Sequence, residues 1–261
     1  MAKIAIVIYS MYGHIAKMAE AAKKGIEEDG GSATIMQVPE TLPQEVLEKM
    51  HAPPKPAYPV ASPADLVDYD GILLGISTRY GGFPAQFKSF WDASGQLWQA
   101  GALWGKYAGA FVSTGGPGGG QESTYFSILT TLVHHGLVFV PLGYKHTNAL
   151  WNANFNELHG GSPFGAGTFA GDGTRQPSEL ELNVASIQAR EFHKIVAKHP
   201  APAAAAPAPA TESTEKAKPV AKEATTTSNH KAEPSKNSTA TTDSKPKKRR
   251  SIFAKIAGLK E

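Results

Sequence analysis

Three short apolar runs in this chain each end in a serine and pass into a turn of glycines and small polar residues. The first turn reads Ser10-Met11-Tyr12-Gly13-His14-Ile15 and leads directly into a helical pattern. Backbone amides, a hydroxyl and the positive end of a helix converge there, which suits a phosphate, although the same residues also suit an ordinary N-capped helix. The second turn, Ser77-Thr78-Arg79-Tyr80-Gly81-Gly82-Phe83-Pro84, sets two glycines beside aromatic residues. Such a turn can offer backbone groups to the polar edge of a flat ring and apolar surface to its faces, or it can be a surface turn whose aromatic folds onto the core. The third turn runs Ser113-Thr114-Gly115-Gly116-Pro117-Gly118-Gly119-Gly120, with five glycines in six positions. That many glycines cost backbone entropy, so a close approach of backbone to a ligand is a better reason for them than a plain linker. Trp98, Trp104 and the His134-His135-Gly136 step could complete a pocket, or could serve packing and helix capping.

Several chemistries are excluded. Without cysteine there is no thiolate nucleophile, disulfide or S-acylation site. Residues 101–106 approach a Walker loop but continue into Tyr107, where the motif needs a Ser or Thr to bind magnesium, and no G-x-G-x-x-G follows the first apolar run. A mononucleotide therefore fits better than a tightly held dinucleotide. The nine histidines form no H-E-x-x-H or comparable pattern, so no metal is expected. The apolar runs end at Ser10, Ser77 and Ser113 rather than at an aspartate, which argues against a phospho-acceptor domain.

The elements that must position these turns follow from periodicity. Continuous apolar runs at residues 3–9, 33–38, 71–77, 107–114 and 137–142 predict parallel strands buried on both faces, separated by helices at 15–28, 64–69, 84–94, 122–135 and 179–198. Regular alternation of this kind predicts a doubly wound α/β sheet, whose ligands bind outside the carboxyl ends of the strands. Residues 143–177 read as a long Gly- and Asn-rich loop over a site or a subunit contact. The predicted organisation is a folded domain at 1–198, a disordered low-complexity linker at 199–244 and a basic amphipathic segment at 245–261. Residues 1–210 hold 14 Lys and Arg against 17 Asp and Glu, whereas 211–261 hold 12 against 6, so the formal net charge of +3 describes neither part and the basic pI is a property of the tail. Nucleic acid is not an expected partner of the domain. The first residues read as a strand rather than a leader, and no apolar run approaches the ~18 residues that span a bilayer. A cytoplasmic protein is expected. Lys245 to Arg250, with Ile252, Phe253, Ile256 and Leu259 on one helical face beyond them, could touch the anionic inner face of the plasma membrane, or could be a solvated or nuclear-targeting cluster.

In combination the motifs resemble the WrbA family of flavodoxin-like NAD(P)H:quinone oxidoreductases, in particular its tailed fungal members. The resemblance rests on the three turns, Pro84-Ala85-Gln86, residues 95–105 with Trp98, Gln121-Glu122, His134-His135-Gly136, Pro141-Leu142-Gly143-Tyr144 and Gly160-Gly161-Ser162-Pro163, in order over residues 1–198. It implies a five-stranded parallel sheet of order 2-1-3-4-5 and bound FMN, with NADH or NADPH as co-substrate. By the same resemblance Ser10, Met11, Tyr12, Gly13, His14 and Ile15 would hold the FMN phosphate, and Thr78, Arg79, Tyr80 and Gly81 the ring and its edge. Ser113, Thr114, Gly115, Gly116, Gly118 and Gly119 would hold the ring and ribityl chain. Trp98 and His134 would line the cavity over the flavin and, with Tyr80, act on the substrates, while Tyr12 would meet the nicotinamide nucleotide. A homotetramer and an antioxidant reduction of quinones are implied as well. The sequence departs from the family where Ser77, Tyr80 and Gly82 replace Pro, Phe and Asn, and where Pro117 interrupts the glycines. A one-electron flavodoxin-type carrier and a membrane-edge flavin-binding scaffold are the competing readings.

Overall fold

The computed structural model describes residues 1–200. Both expected tail segments, 199–244 beyond its first two residues and 245–261, lie outside the described residues.

The core is a parallel sheet of β1 (Lys3–Tyr9), β2 (Ser32–Gln37), β3 (Gly71–Ser77), β4 (Tyr107–Thr114) and β5 (Val138–Phe139), ordered β2-β1-β3-β4-β5 as expected for a flavodoxin-like fold. Side chains alternate across the sheet, so β1 sends Ala5, Val7 and Tyr9 into one core and Ile4, Ile6 and Ile8 into the other. Burial on both faces explains why its strands read as uninterrupted apolar runs. The helices α1 (His14–Glu28) and α7 (Glu179–Lys198) cover one face, and α3 (Ala85–Asp92) and α5 (Gln121–His134) contribute to the core on the other. On α1, Ile15, Met18, Ala19, Ala22 and Ile26 recur at helical spacing and are all buried. The expected helix at 64–69 is a 3-10 helix, Pro63–Asp68, and the buried Lys106 ammonium donates to Val67 O (3.0 Å) and Tyr69 O (2.6 Å) at its end.

The fifth strand position differs from the sequence expectation. β5 is only two residues long and pairs with the start of β4, through Tyr107↔Val138 and Ala108↔Phe139. Pro141 has no amide to continue the ladder and Gly143 turns the chain away at φ 62. The chain returns as β6 (Gly167–Phe169), which pairs with the other end of β4 through Val112↔Gly167, Ser113↔Thr168 and Thr114↔Phe169. The sheet thus holds six strands, two of them in tandem at one position, and the stretch read as a loop contains both α6 (Asn148–Ala153) and β6. Two further short helices, α2 (Gln44–Lys49) and α4 (Gly95–Ala100), also escape the sequence reading.

Candidate functional site

The carboxyl ends of β1, β3 and β4 open into a cleft of about 100 Å³. Ser10, Met11, Tyr12, His14 and Ile15 form its first wall, Ser77, Thr78 and Arg79 its second, and Ser113, Thr114 and Gly115 its third, with Ala170 closing one side.

The first wall is the start of α1. Gly13 is its N-cap at φ 89, Lys17 N donates to Gly13 O (3.0 Å) and Ala16 N to Ser10 Oγ (3.3 Å). The amides of residues 12–15 have no acceptor within the described residues, as at most helix N-termini, and so form a donor set suited to an anion. His14 is buried, and its Nε2 donates to Arg175 O (2.7 Å), so the ring ties the helix to the chain that follows β6. Tyr12 is partly exposed and donates its hydroxyl to Met50 O (3.1 Å).

Behind this wall Glu40 collects donors. It accepts from Lys55 Nζ (2.6 Å), Gln86 Nε2 (2.8 Å), Tyr9 Oη (3.1 Å) and the amides of Thr41 (2.9 Å) and Leu42 (3.1 Å). Burial by itself raises a carboxyl, but these hydrogen bonds outweigh it and bring Glu40 down to about 2. Burial, followed by Glu40, pushes the Tyr9 phenol up, which keeps it a donor. A carboxyl depressed on folding stabilises the protein above its unfolded value near 4.5, and that contribution is lost as pH falls toward 2. Its expected size is about 2 kcal/mol after allowing for partial exposure. Acid titration of stability should therefore fall less steeply between pH 4.5 and 2 in Glu40→Gln than in the parent.

The second wall is a two-residue hairpin turn. Arg79 N donates to Gly82 O (2.8 Å) and Gly82 N to Arg79 O (2.9 Å), with Tyr80 at φ 52 and Gly81 at φ 76. Turns with two left-handed residues favour Asn-Gly, and a bulky aromatic in the first position is strained. Tyr80 is fully exposed, so nothing packs in return. Tyr80→Asn is expected to raise stability by about 0.5–1 kcal/mol, read as a higher denaturation midpoint. Arg79 donates to Thr78 O (2.8 Å), lies 3.9 Å from the Met11 sulfur and has no carboxylate partner among the described residues. No carboxylate lines the cleft. Its fixed charge is thus positive.

The glycine run folds against this turn. A Cβ on Gly120 would stand 2.7 Å from Gly81 Cα, so close loop packing, rather than ligand approach, requires a glycine there. Thr78 Oγ1 pairs with Thr124 Oγ1 (2.7 Å), which donates onward to Gly120 O (2.7 Å), and Thr78 N donates to Ser113 O (2.9 Å). The second and third walls are therefore one bonded unit.

Nothing in the sequence pattern announces Ala170 as part of the cleft. Its N donates to Thr114 O (2.8 Å) and Gly171 N to Gly115 O (2.8 Å), which seats the returning chain on the cleft. Ser77, the first residue of the second turn and a departure from the family, also lines it and donates to Tyr9 O (3.2 Å). Tyr80, Gly81, Gly116, Gly118 and Gly119 lie outside the lining, in the hairpin tip and the glycine turn. Trp98 on α4 and His134 at the end of α5 are exposed, and neither lines the cleft of the single chain.

The helix N-terminal donor set and the positive, carboxylate-free wall of the cleft fit a phosphorylated cofactor such as FMN. Comparison with known proteins agrees. The chain is 64% identical over 199 residues to the minor allergen Alt a 7 of Alternaria alternata, covering 75% of this chain and 97% of that protein. It is 59% identical over 197 residues to the NAD(P)H quinone oxidoreductase PST3 of Candida albicans, covering 75% of this chain and 98% of that protein. Among solved structures, a flavodoxin, WrbA-like protein from Agrobacterium tumefaciens shares the fold with a TM-score of 0.54 at 22% identity, over 76% of this chain and 99% of that one. Residues 3–149, more than half of the chain, match the family described as NADPH-dependent FMN reductase, and the chain belongs to that family.

Proposed function

We propose that this protein binds FMN and uses NADH or NADPH to reduce quinones by two electrons. The observation that carries the reading is the anion-suited, carboxylate-free cleft at the ends of β1, β3 and β4. The relatives named NAD(P)H quinone oxidoreductase, 53–59% identical to this chain, supply the reaction class. The amides of residues 12–15 and the Ser10 hydroxyl would hold the phosphate. Thr78 and Arg79 would meet the ring edge, and Ser113, Thr114 and Gly115 the ribityl side. When bound, the flavin supplies hydride acceptance and electron delivery, while the protein supplies orientation and charge. Arg79 keeps a positive charge in the wall, where it favours an anionic group. Tyr12, at the lip, is placed to meet the nicotinamide nucleotide, and the two substrates would use the same open face in turn.

Trp98 and His134 belong to this reading as residues over the flavin, reached through assembly. Trp98, Trp104, Phe126, Val133 and Phe155 are large apolar side chains exposed in the single chain, the kind of surface that marks subunit contacts. A homotetramer would cover them. Light scattering of the purified protein checks the assembly. Protection against oxidative stress is part of the proposal, because two-electron transfer converts a quinone directly to its hydroquinone. No described helix is long and apolar enough to cross a membrane. A cytoplasmic location, with the segment 245–261 touching anionic lipid, completes the proposal.

The test is reconstitution with FMN followed by NADH and NADPH oxidation in the presence of benzoquinone. Turnover at two electrons per quinone is expected, whereas a one-electron carrier or a structural flavoprotein would leave the nicotinamide unoxidised. Arg79→Leu removes charge-assisted contacts that contribute about 1.5–3 kcal/mol, so FMN affinity should fall about 10–100-fold in a flavin fluorescence titration. An unchanged affinity would remove Arg79 from the site.

A further inference from the structure

Ser94 is the N-cap residue of α4, a position where serine ordinarily accepts from its own helix. Here its side chain makes no cap. Ser94 Oγ instead donates to Trp91 O (2.5 Å) and stands 2.9 Å from His135 Nε2. Both side chains are buried, at 2% and 9% exposure.

The protons settle the direction of the second bond. A hydroxyl has one hydrogen, and that of Ser94 is directed to Trp91 O, so His135 must donate through Nε2–H. His135 Nδ1 is then a bare acceptor, and it has no partner among the described residues. Protonating it would create a buried cation with an unpaired N–H. Burial, then the neighbouring His134, accordingly holds His135 below the ordinary histidine range. The Trp91 ring lies beside it with centroids 5.3 Å apart.

The bond joins two particular places. The Ser94 carbonyl accepts from Trp98 N (3.0 Å), so Trp98 sits one turn from one end of it. His135 follows His134 directly as the C-cap of α5, with its N–H donating to Thr131 O (3.2 Å). A backbone strut from Gly105 N to Gly136 O (2.9 Å) runs alongside. One buried side-chain bond thereby ties the element carrying Trp98 to the element carrying His134.

We propose that the Ser94–His135 hydrogen bond is a positioning link that fixes Trp98 relative to His134, so that quinone reduction depends on two residues that touch no substrate. The inference rests on the reading above that Trp98 and His134 cover the flavin. Losing the link lets the two covering side chains shift, and displacement of about 1 Å in a substrate-positioning group is enough for a loss of 10-fold or more.

The experiment compares Ser94→Ala, His135→Phe, their double variant and His135→Gln, whose amide nitrogen can donate from nearly the place of Nε2. In FMN-loaded protein, Ser94→Ala and His135→Phe should each lower kcat/KM for benzoquinone about 10-fold. The double variant should fall no further than either, and His135→Gln should stay within about twofold, because the link is one pairwise interaction. A second readout needs no flavin. In the apoprotein the Trp98 indole N–H resonance, identified by its loss in Trp98→Phe, should shift in Ser94→Ala and His135→Phe and hold its place in His135→Gln. Should Ser94→Ala not fold, the contrast of His135→Phe with His135→Gln decides. The proposal is overturned if these variants keep parental quinone kinetics while Trp98→Ala and His134→Ala lose activity. If Trp98→Ala and His134→Ala themselves change nothing, the covering role fails first and the link falls with it.

Discussion

Replacing Glu181 by alanine is expected to destabilise the protein by about 3–5 kcal/mol and to weaken FMN binding with it. Glu181 is 1% exposed, and its two oxygens accept from Ser178 N (2.8 Å), Gly160 N (2.9 Å), Phe169 N (3.3 Å), Thr168 Oγ1 (2.7 Å) and Arg175 (2.9 Å). It closes the capping box of α7, holds β6 and anchors Arg175 at the same time. Arg175 in turn donates to Phe169 O (2.6 Å) and Leu158 O (2.9 Å), and its own carbonyl accepts from His14 at the start of α1. Alanine would leave the amides of Ser178, Gly160 and Phe169 without their buried acceptor and take from Arg175 its carboxylate partner, which costs more than the pair itself contributes. Because Ala170 follows β6, the side of the cleft it closes should loosen as well. Burial raises the Glu181 carboxyl, yet Arg175 and the surrounding donors outweigh it and the net shift is downward. Its stabilisation is therefore present above the unfolded carboxyl range and lost on acidification. Chemical denaturation at pH 7, with an FMN titration beside it, measures both effects. A variant of parental stability would show that the network contributes nothing.

Gly165→Ala should be comparably severe for a different reason. An added Cβ would lie 2.1 Å from Ala110 O and 2.7 Å from the Tyr125 hydroxyl. Neither can step aside. Ala110 is inside β4, where its carbonyl accepts from Gln188 Nε2 (2.9 Å), and the fully buried Tyr125 donates to Ala166 O (2.7 Å). Relief requires moving the chain that leads into β6 away from the central sheet, and a loss of about 3 kcal/mol or more follows. The expected readout is a lowered denaturation midpoint, with weaker FMN binding because the seating of Ala170 on Thr114 is disturbed.

The parts of the fold legible in the sequence are those whose burial is complete over several residues. β1, β3 and β4 begin and end where the apolar runs do, and α1 and α5 differ by one residue from the periodic pattern, while α7 coincides with it. α2, α4 and α6 have six residues each, too few for a helical period to register. β5 and β6 are strands only because β4 offers them partners, which their own residues do not announce. The same division runs through the site. Ser10, Thr78 and Ser113 could be placed together because strand ends converge in a doubly wound sheet. Ala170 could not, since it arrives after an excursion of almost thirty residues whose return point depends on Glu181, Arg175 and Gln121. Trp98 and His134 were visible as residue types suited to a cavity, but the single chain leaves both at its surface. The glycine run in the sequence suggests room for a ligand, whereas at Gly120 the neighbour is the Gly81 backbone.

The broken outer strand also bears on how copies of this protein can meet. β5 and β6 present two and three residues, too little for an incoming strand to zip along. At the opposite border, Gln37 N donates to Pro59 O (2.9 Å) and Ala61 N to Gln37 O (2.8 Å), so a proline-bearing segment already occupies the end of β2 nearest the cleft. Lateral growth of the sheet into ribbons or fibres is thereby discouraged at both borders. Any self-association would then be left to side-chain surfaces, which can close into a finite particle.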